Sequence, residues 1–197
     1  KPTSPQLVTK FRLQSLLPTV DAGGISASPT KSIAQNIPSW SLPVRIFVSY
    51  ARLDNEAFES LKKVLFPLER EGLATICDDT GILPGECWPK FISTKLEEAN
   101  IIIPILSSNY IASSYILENE FIPALGRHSS NDALMIPVCF DSFDMNAKGF
   151  QFEDIQIFPD PKVPIRSSAD PSRIWVEFAQ KLRDRITKHF DIGFSTQ

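Results

Sequence analysis

Two pairs of hydroxyls stand at the ends of apolar runs. Ser49-Tyr50 closes Arg45-Ile46-Phe47-Val48, and Ser107-Ser108 closes Ile101–Leu106. A short apolar run closed by polar residues reads as a buried strand whose carboxyl end faces a crevice. Arg52 lies just past the first pair. Its guanidinium fork suits a phosphate or a ribose, or alternatively a surface salt bridge with Asp54 or Glu56. Carboxylates gather at Asp78-Asp79, ahead of Thr80, and again at Glu118 and Glu120. Taken alone, a glutamate on a helix is a solvated surface residue and Asp79 is a loop cap. Trp88 reads as core first and pocket wall second, and Tyr115 as packing at a helix start.

Other chemistries lack their signatures. Cys77, Cys87 and Cys139 fit no zinc spacing, and neither His128 nor His189 has a ligating partner near it in sequence. They read as reduced, buried thiols of a cytoplasmic protein, with no metal site expected. No Gly-x-Gly-x-x-Gly follows the first strand, and residues 81–85 lack the Lys-Ser/Thr of a phosphate-binding loop. No serine stands in a nucleophile elbow, and neither histidine has a triad context.

The elements that must position these residues alternate. After the first strand, Phe58, Leu61, Leu65 and Leu68 share one helical face, with Asp54 as the expected cap and Pro67 expected to bend or end the helix. Gly72 turns the chain into a second strand at residues 73–77. A Gly/Pro loop and a second helix over 86–99 follow, carrying Trp88, Phe91-Ile92, Leu96 and Ala99. In the third strand, Pro104 should fall at a bulge or an unpaired position. Pro123 should cut or kink the helix that bears Glu120. Residues 134–140 read as a fourth strand broken by Pro137, and Val163-Pro164-Ile165 as a short edge strand. Asp170-Pro171 opens a closing helix with Ile174, Trp175, Phe178, Leu182 and Ile186 on its apolar face. Strand, helix, strand, helix, strand predicts an α/β fold with a central parallel sheet of about five strands flanked by helices. Ligands of such sheets sit at the carboxyl ends of the strands.

Composition sets the bounds. The 197 residues are 43% hydrophobic and 22% charged, enough to bury the core of one domain. A net charge of −3 disfavours a nucleic-acid surface. No apolar run approaches the ~18 residues of a membrane span, and no signal-peptide core follows Lys1. The start without methionine reads as a chain trimmed or excised from something longer. Residues 1–43 are interrupted by Pro2, Pro5, Pro18, Pro29, Pro38 and Pro43 and by Gly23-Gly24. They read either as a linker or arm to a missing module, with one short helix over 7–17, or as a disordered tail. The domain is expected over 44–192 and a tail over 193–197.

One family shares this ordered set. Phe47-Val48-Ser49-Tyr50, Asp79 through Pro84-Gly85, Trp88, Ile105-Leu106-Ser107 with Asn109-Tyr110, and Ser114-Tyr115 leading to Glu120 resemble the TIR (Toll/interleukin-1 receptor) domain in its bacterial branch. The likeness runs from Arg45 to near Phe190 and implies a flavodoxin-like fold. It also implies an enzyme. In TIR enzymes a glutamate shortly after a Ser-aromatic pair is catalytic for NAD⁺ glycohydrolase activity. That role is carried over to Glu120, because Phe121 and Ala124 resemble the residues after the family's acid. Asn119 occupies the acid's commonest register, which leaves Glu118 as the alternative.

The resemblance further implies that Ser49, Tyr50, Arg52, Asp79, Thr80, Trp88, Ser107 and Tyr115 border the substrate. NAD⁺ would be a substrate, with no cofactor or metal required. Nicotinamide departs from a cationic nitrogen as a neutral molecule, so no general acid is needed. One carboxylate beside an oxocarbenium-like ribose suffices. Products would be nicotinamide and ADP-ribose or a cyclic variant. The implied role is a prokaryotic immune or abortive-defence effector, activated by TIR–TIR self-association through the 78–85 loop and coupled to a sensor module or partner chain. The alternative is a non-catalytic TIR–TIR adaptor in which Glu120 is incidental. Neither reading involves nucleic acid or a membrane.

Overall fold

In the computed structural model, which describes residues 40–77, 88–150, 152 and 155–190, the first apolar run is strand β1, Val44–Ser49. All its side chains but Arg45 are buried, as befits a strand covered on both faces. Strand β2 is Ala74–Cys77, β3 is Ile101–Leu106, β4 is Leu134–Met135 and β5 is Val138–Cys139. Among the described residues these five strands form one parallel sheet in the order β2-β1-β3-β4, with β5 also on β3. This is the flavodoxin-like arrangement. The winding reverses between β1 and β3, and a crevice opens at their carboxyl ends.

Helices close both faces. Helix α1 (Asn55–Arg70) and α6 (Pro171–His189) lie over Val44, Ile46 and Val48 of β1 and Ile101, Ile103 and Ile105 of β3. The alternate residues Phe47, Ile102 and Leu106 face α2 (Trp88–Glu98), α3 (Ser108–Ala112), α4 (Ser114–Ile116) and α5 (Ile122–Ser129). Period-two alternation in the strands thus divides the core into two layers. The expected face of α1 is fully inside, and burying each leucine such as Leu61 or Leu65 contributes ~2 kcal/mol. Asp170 caps α6 by accepting from Arg173 N at 3.0 Å, as its sequence context implied.

The prolines behave variously. Pro67 does not end α1, which continues to Arg70 before Gly72, at φ +71°, turns the chain into β2. Pro104 sits where expected. Ile136 N donates to Ile102 O and Phe140 N to Leu106 O, so the even-numbered residues of β3 direct their backbone at β4 and β5. The amide hydrogen that Pro104 lacks would fall between those two short strands, opposite Pro137. Pro137 accordingly splits the expected fourth strand in two. Val163-Pro164-Ile165 is not a strand; Ile165–Ser167 is a 3₁₀ turn tied to the sheet by Arg166 N donating to Phe140 O at 2.8 Å. The parallel bridge beyond β5 comes instead from Phe158 to Val138. Residues 1–39, 78–87, 151, 153, 154 and 191–197, with the 78–85 loop, Cys87, the tail and all of the 1–43 arm but its last four residues, lie outside the described residues. Trp40, expected in the arm, is buried in the core of the domain.

Candidate active site

Ser49 ends β1 only 2% exposed, and its hydroxyl donates to Glu120 Oε2 at 2.6 Å. The Tyr110 hydroxyl lies 2.9 Å from the same Ser49 oxygen. A serine has one proton to give and Ser49 gives it to the carboxylate, so Tyr110 is the donor to Ser49. Burial pushes the Tyr110 phenol well above its usual range. The Ser49 bond opposes that shift, and the negative charge of Glu120 adds to it. Tyr110 therefore keeps its proton throughout the physiological range.

Glu120 comes inward because of a local irregularity. Ser113 caps α4 by accepting from Ile116 N, and the run then widens into a π turn over Leu117–Phe121, with Ile122 N donating to Leu117 O. The extra residue in this turn lets Glu120 (5% exposed) and Phe121 (0%) both face inward, while Glu118 and Asn119 face solvent. Pro123 does not cut the helix as expected. It lies in the first turn of α5, where an amide hydrogen is dispensable, and the run proceeds to Ser129.

Glu120 lines a cleft of ≈ 680 Å³ at the carboxyl end of β1, a volume that fits a small-molecule site. Tyr50, Arg52 and Tyr115 also line it. The Tyr50 ring stacks on Phe58 with centroids 4.6 Å apart, and exposed Arg52 adds a positive charge to the cleft lining. Of the acids weighed as partners for Arg52, Glu56 pairs with Arg166, and Asp54 accepts from Ser107 and Asn109.

Several expectations need correction. Ser107 does not reach the cleft; it is 1% exposed, donates to Asp54 and caps α3 by accepting from Tyr110 N at 3.0 Å. Asp54 makes no cap bond to α1, because its carboxylate is fully buried and turned to Ser107 and Asn109. Glu118 is exposed, and Asn119 donates to Tyr115 O at 2.9 Å. Asp79, Thr80 and the Trp88 side chain lie outside the described residues. Two neighbours escaped the sequence reading as site residues. Asn109 lines the cleft with its amide held by Asp54 at 2.8 Å, and Tyr110 stands behind it. The pair lies three and four residues past β3. Asn109-Tyr110 formed part of the family resemblance, but nothing local beyond a capping serine marked them as site residues.

The family model for the TIR domain matches residues 46–162, more than half of the chain. The chain belongs to the TIR domain family. It is 27% identical over 146 residues to the uncharacterized protein y4lF of Sinorhizobium fredii, a match spanning 73% of this chain and 45% of that protein. The chain thus spans about half the length of the curated relative it matches. Among solved structures, the TIR domains of the activated Roq1 resistosome directly recognizing the pathogen effector XopQ match with a TM-score of 0.42 and 17% identity, over 76% of this chain and 85% of that one. All the described cleft residues of this TIR domain fall inside the matched segment. Among its described residues no group of three or more His, Cys, Asp or Glu converges, and no helix is long and apolar enough to cross a membrane. Cys77 is half-buried and Cys139 is buried.

Proposed function

We propose that this TIR domain cleaves NAD⁺ at the bond between nicotinamide and ribose, with Glu120 as the catalytic carboxylate. The observation that carries this reading is the buried Glu120 in the wall of the cleft, its Oε2 held by Ser49 at 2.6 Å. A carboxylate so held is already oriented and costs little reorganisation as positive charge develops on a ribose beside it. In the reaction the C1′–N bond breaks and its electron pair returns to the pyridinium nitrogen, so neutral nicotinamide leaves. Glu120 stabilises the oxocarbenium ion. Water then adds to C1′ and loses a proton, giving ADP-ribose; attack by an adenine nitrogen instead gives a cyclic product.

Arg52 would take a phosphate or the ribose, and Tyr50 and Tyr115 offer flat faces to the bases. By the family resemblance, Asp79, Thr80 and Trp88 would bind the same substrate. In this reading the domain is a cytoplasmic effector of prokaryotic immunity or abortive defence, of the bacterial branch, switched on when a sensor module or partner chain brings TIR domains together.

Incubation of the purified protein with NAD⁺ across a wide concentration range, with nicotinamide and nucleotides resolved by chromatography, tests the reading. Turnover should rise steeply with concentration. Glu120→Gln should fold normally and lose on the order of 100-fold or more, while Glu118→Gln behaves as the parent. Cleavage by Glu120→Gln at the parental rate would refute the assignment. An assembled parent that leaves NAD⁺ intact would turn the reading to a non-catalytic adaptor.

A further inference from the structure

Tyr110 is completely buried and does not line the cleft, yet its phenol is aimed at the far side of the Ser49–Glu120 bond. Its backbone is fixed as firmly as its ring. Tyr110 N donates to Ser107 Oγ, and the Ser107 proton goes to Asp54, 0% exposed at the start of α1. Ser49 and Pro104 are in register across β1 and β3, so Ser49 and Ser107 emerge at the same end of the sheet. Phe150 packs on the Tyr110 ring at 6.0 Å between centroids. Two hydrogen-bonded runs therefore meet in Tyr110 behind the cleft, its phenol on Ser49 and Glu120 and its amide on Ser107 and Asp54.

We propose that Tyr110 is a positioning residue for Glu120, acting through Ser49: it donates to Ser49 Oγ, polarises the Ser49 hydroxyl and holds it on Glu120 Oε2. The consequence for turnover rests on the reading of Glu120 as catalytic; the geometry does not. Among the described residues, Arg52 and Tyr50 face Glu120 from the segment after β1, and Tyr115 and Glu118 belong to its own helical run. Helix α2 presents Ile92 to the cleft, and Arg127 of α5 is bound to the carbonyls of Leu96 and Ala99.

The test tracks the Glu120 carboxyl carbon by ¹³C NMR through a pH titration, alongside thermal melting. A hydrogen bond to the charged form lowers a carboxyl's midpoint, so removing one raises it. Ser49→Ala should move the Glu120 midpoint up by about 1 pH unit. Tyr110→Phe should move it up by about 0.3, the polarisation share of that bond. Adding Tyr110→Phe to Ser49→Ala should do nothing more. An unmoved Glu120 midpoint in Tyr110→Phe, with only the melting temperature lowered, would reduce Tyr110 to packing. An equal shift in the Ser49→Ala background would overturn the route through Ser49. Should Tyr110→Phe fail to fold, fluorotyrosine incorporated into the parent replaces it. The Tyr110 ¹⁹F resonance should respond to Glu120 ionisation, and at least two-fold less strongly in Ser49→Ala; a resonance indifferent to Glu120 refutes the relay. If NAD⁺ is a substrate, Tyr110→Phe should lower kcat several-fold with KM unchanged. A parent inactive on NAD⁺ would remove the proposed function and leave the relay to be decided by the titration.

Discussion

Substituting Gly149→Ala would press on the π turn from outside the cleft. Gly149 has φ +94°, a region that residues with a Cβ rarely adopt, and an added Cβ would lie 2.9 Å from Leu117 Cδ2 and 3.2 Å from Cδ1. Leu117 is the first residue of the π turn, and its carbonyl receives Ile122 N. Backbone strain of this kind costs ~1–3 kcal/mol. The clash adds ~1 kcal/mol, at the low end for overpacking because the opposing atoms end a flexible, half-buried side chain. We expect a loss of about 2–4 kcal/mol, seen in urea unfolding, and a melting temperature lower by roughly 5–15 °C for a domain of this size. Because Leu117 must yield by tenths of an ångström, Glu120 should move with it, and the proposed NAD⁺ cleavage should fall on the order of 10-fold. The double variant with Leu117→Ala separates the two terms. Removing the leucine should recover ~1 kcal/mol of the Gly149→Ala cost and leave the backbone share. If Gly149→Ala costs the same with or without Leu117, the contact does not couple the loop to the turn.

Two further tests concern groups away from the cleft. A hydrogen bond from Arg166 holds Asp141 below the usual carboxylate range, against a smaller upward push from burial. A depressed carboxyl contributes stability above its unfolded value of ~3.9 and loses it as pH falls through the folded value. Arg166→Ala should therefore narrow the gap between urea midpoints at pH 7 and pH 3, by less than ~1 kcal/mol for so exposed a pair; an unchanged gap refutes this. Burial, with the charges of Asp141 and Asp160, pushes the Cys139 thiol up to about 12. In the native protein at pH 8, iodoacetamide should label Cys139 at least about 100-fold more slowly than in urea, as peptide mass spectrometry would show. Comparable rates would mean that the thiol is not shielded.

The parallel sheet was legible because β1, β2 and β3 are each a largely apolar run ended by polar residues, and β4 and β5 share a fourth run that Asp141 closes, a pattern that depends on local order alone. Pro104 was legible for the same reason, since a missing amide hydrogen must be matched by a gap in the partner. The interior of the site was not. Whether Glu118 or Glu120 turns inward depends on a turn with i→i+5 bonding, and no composition rule marks that turn. Ser49 could be seen at a strand end, but its partner lies 71 residues away. Asp54 looked like a helix cap because capping is local, whereas Ser107 and Asn109 reach it from another strand's end. Val163-Pro164-Ile165 has the apolar content of a strand, but its chain turns to bring Arg166 N onto Phe140 O.

The division of the outer strand at Pro137 bears on how copies of this domain can meet. A sheet grows by strand addition when its border offers an unbroken row of amides and carbonyls. Here the border is two dipeptides either side of a proline, and much of its outward backbone is already satisfied. His128 Nδ1 lies 3.4 Å from Met135 N, Phe158 N donates to Pro137 O at 2.9 Å, and Cys139 N donates to Phe158 O at 2.8 Å. Such a margin resists templating by a neighbouring chain. Along this border, crowded copies would then meet through side-chain surfaces, which come apart again, and not through cumulative backbone pairing.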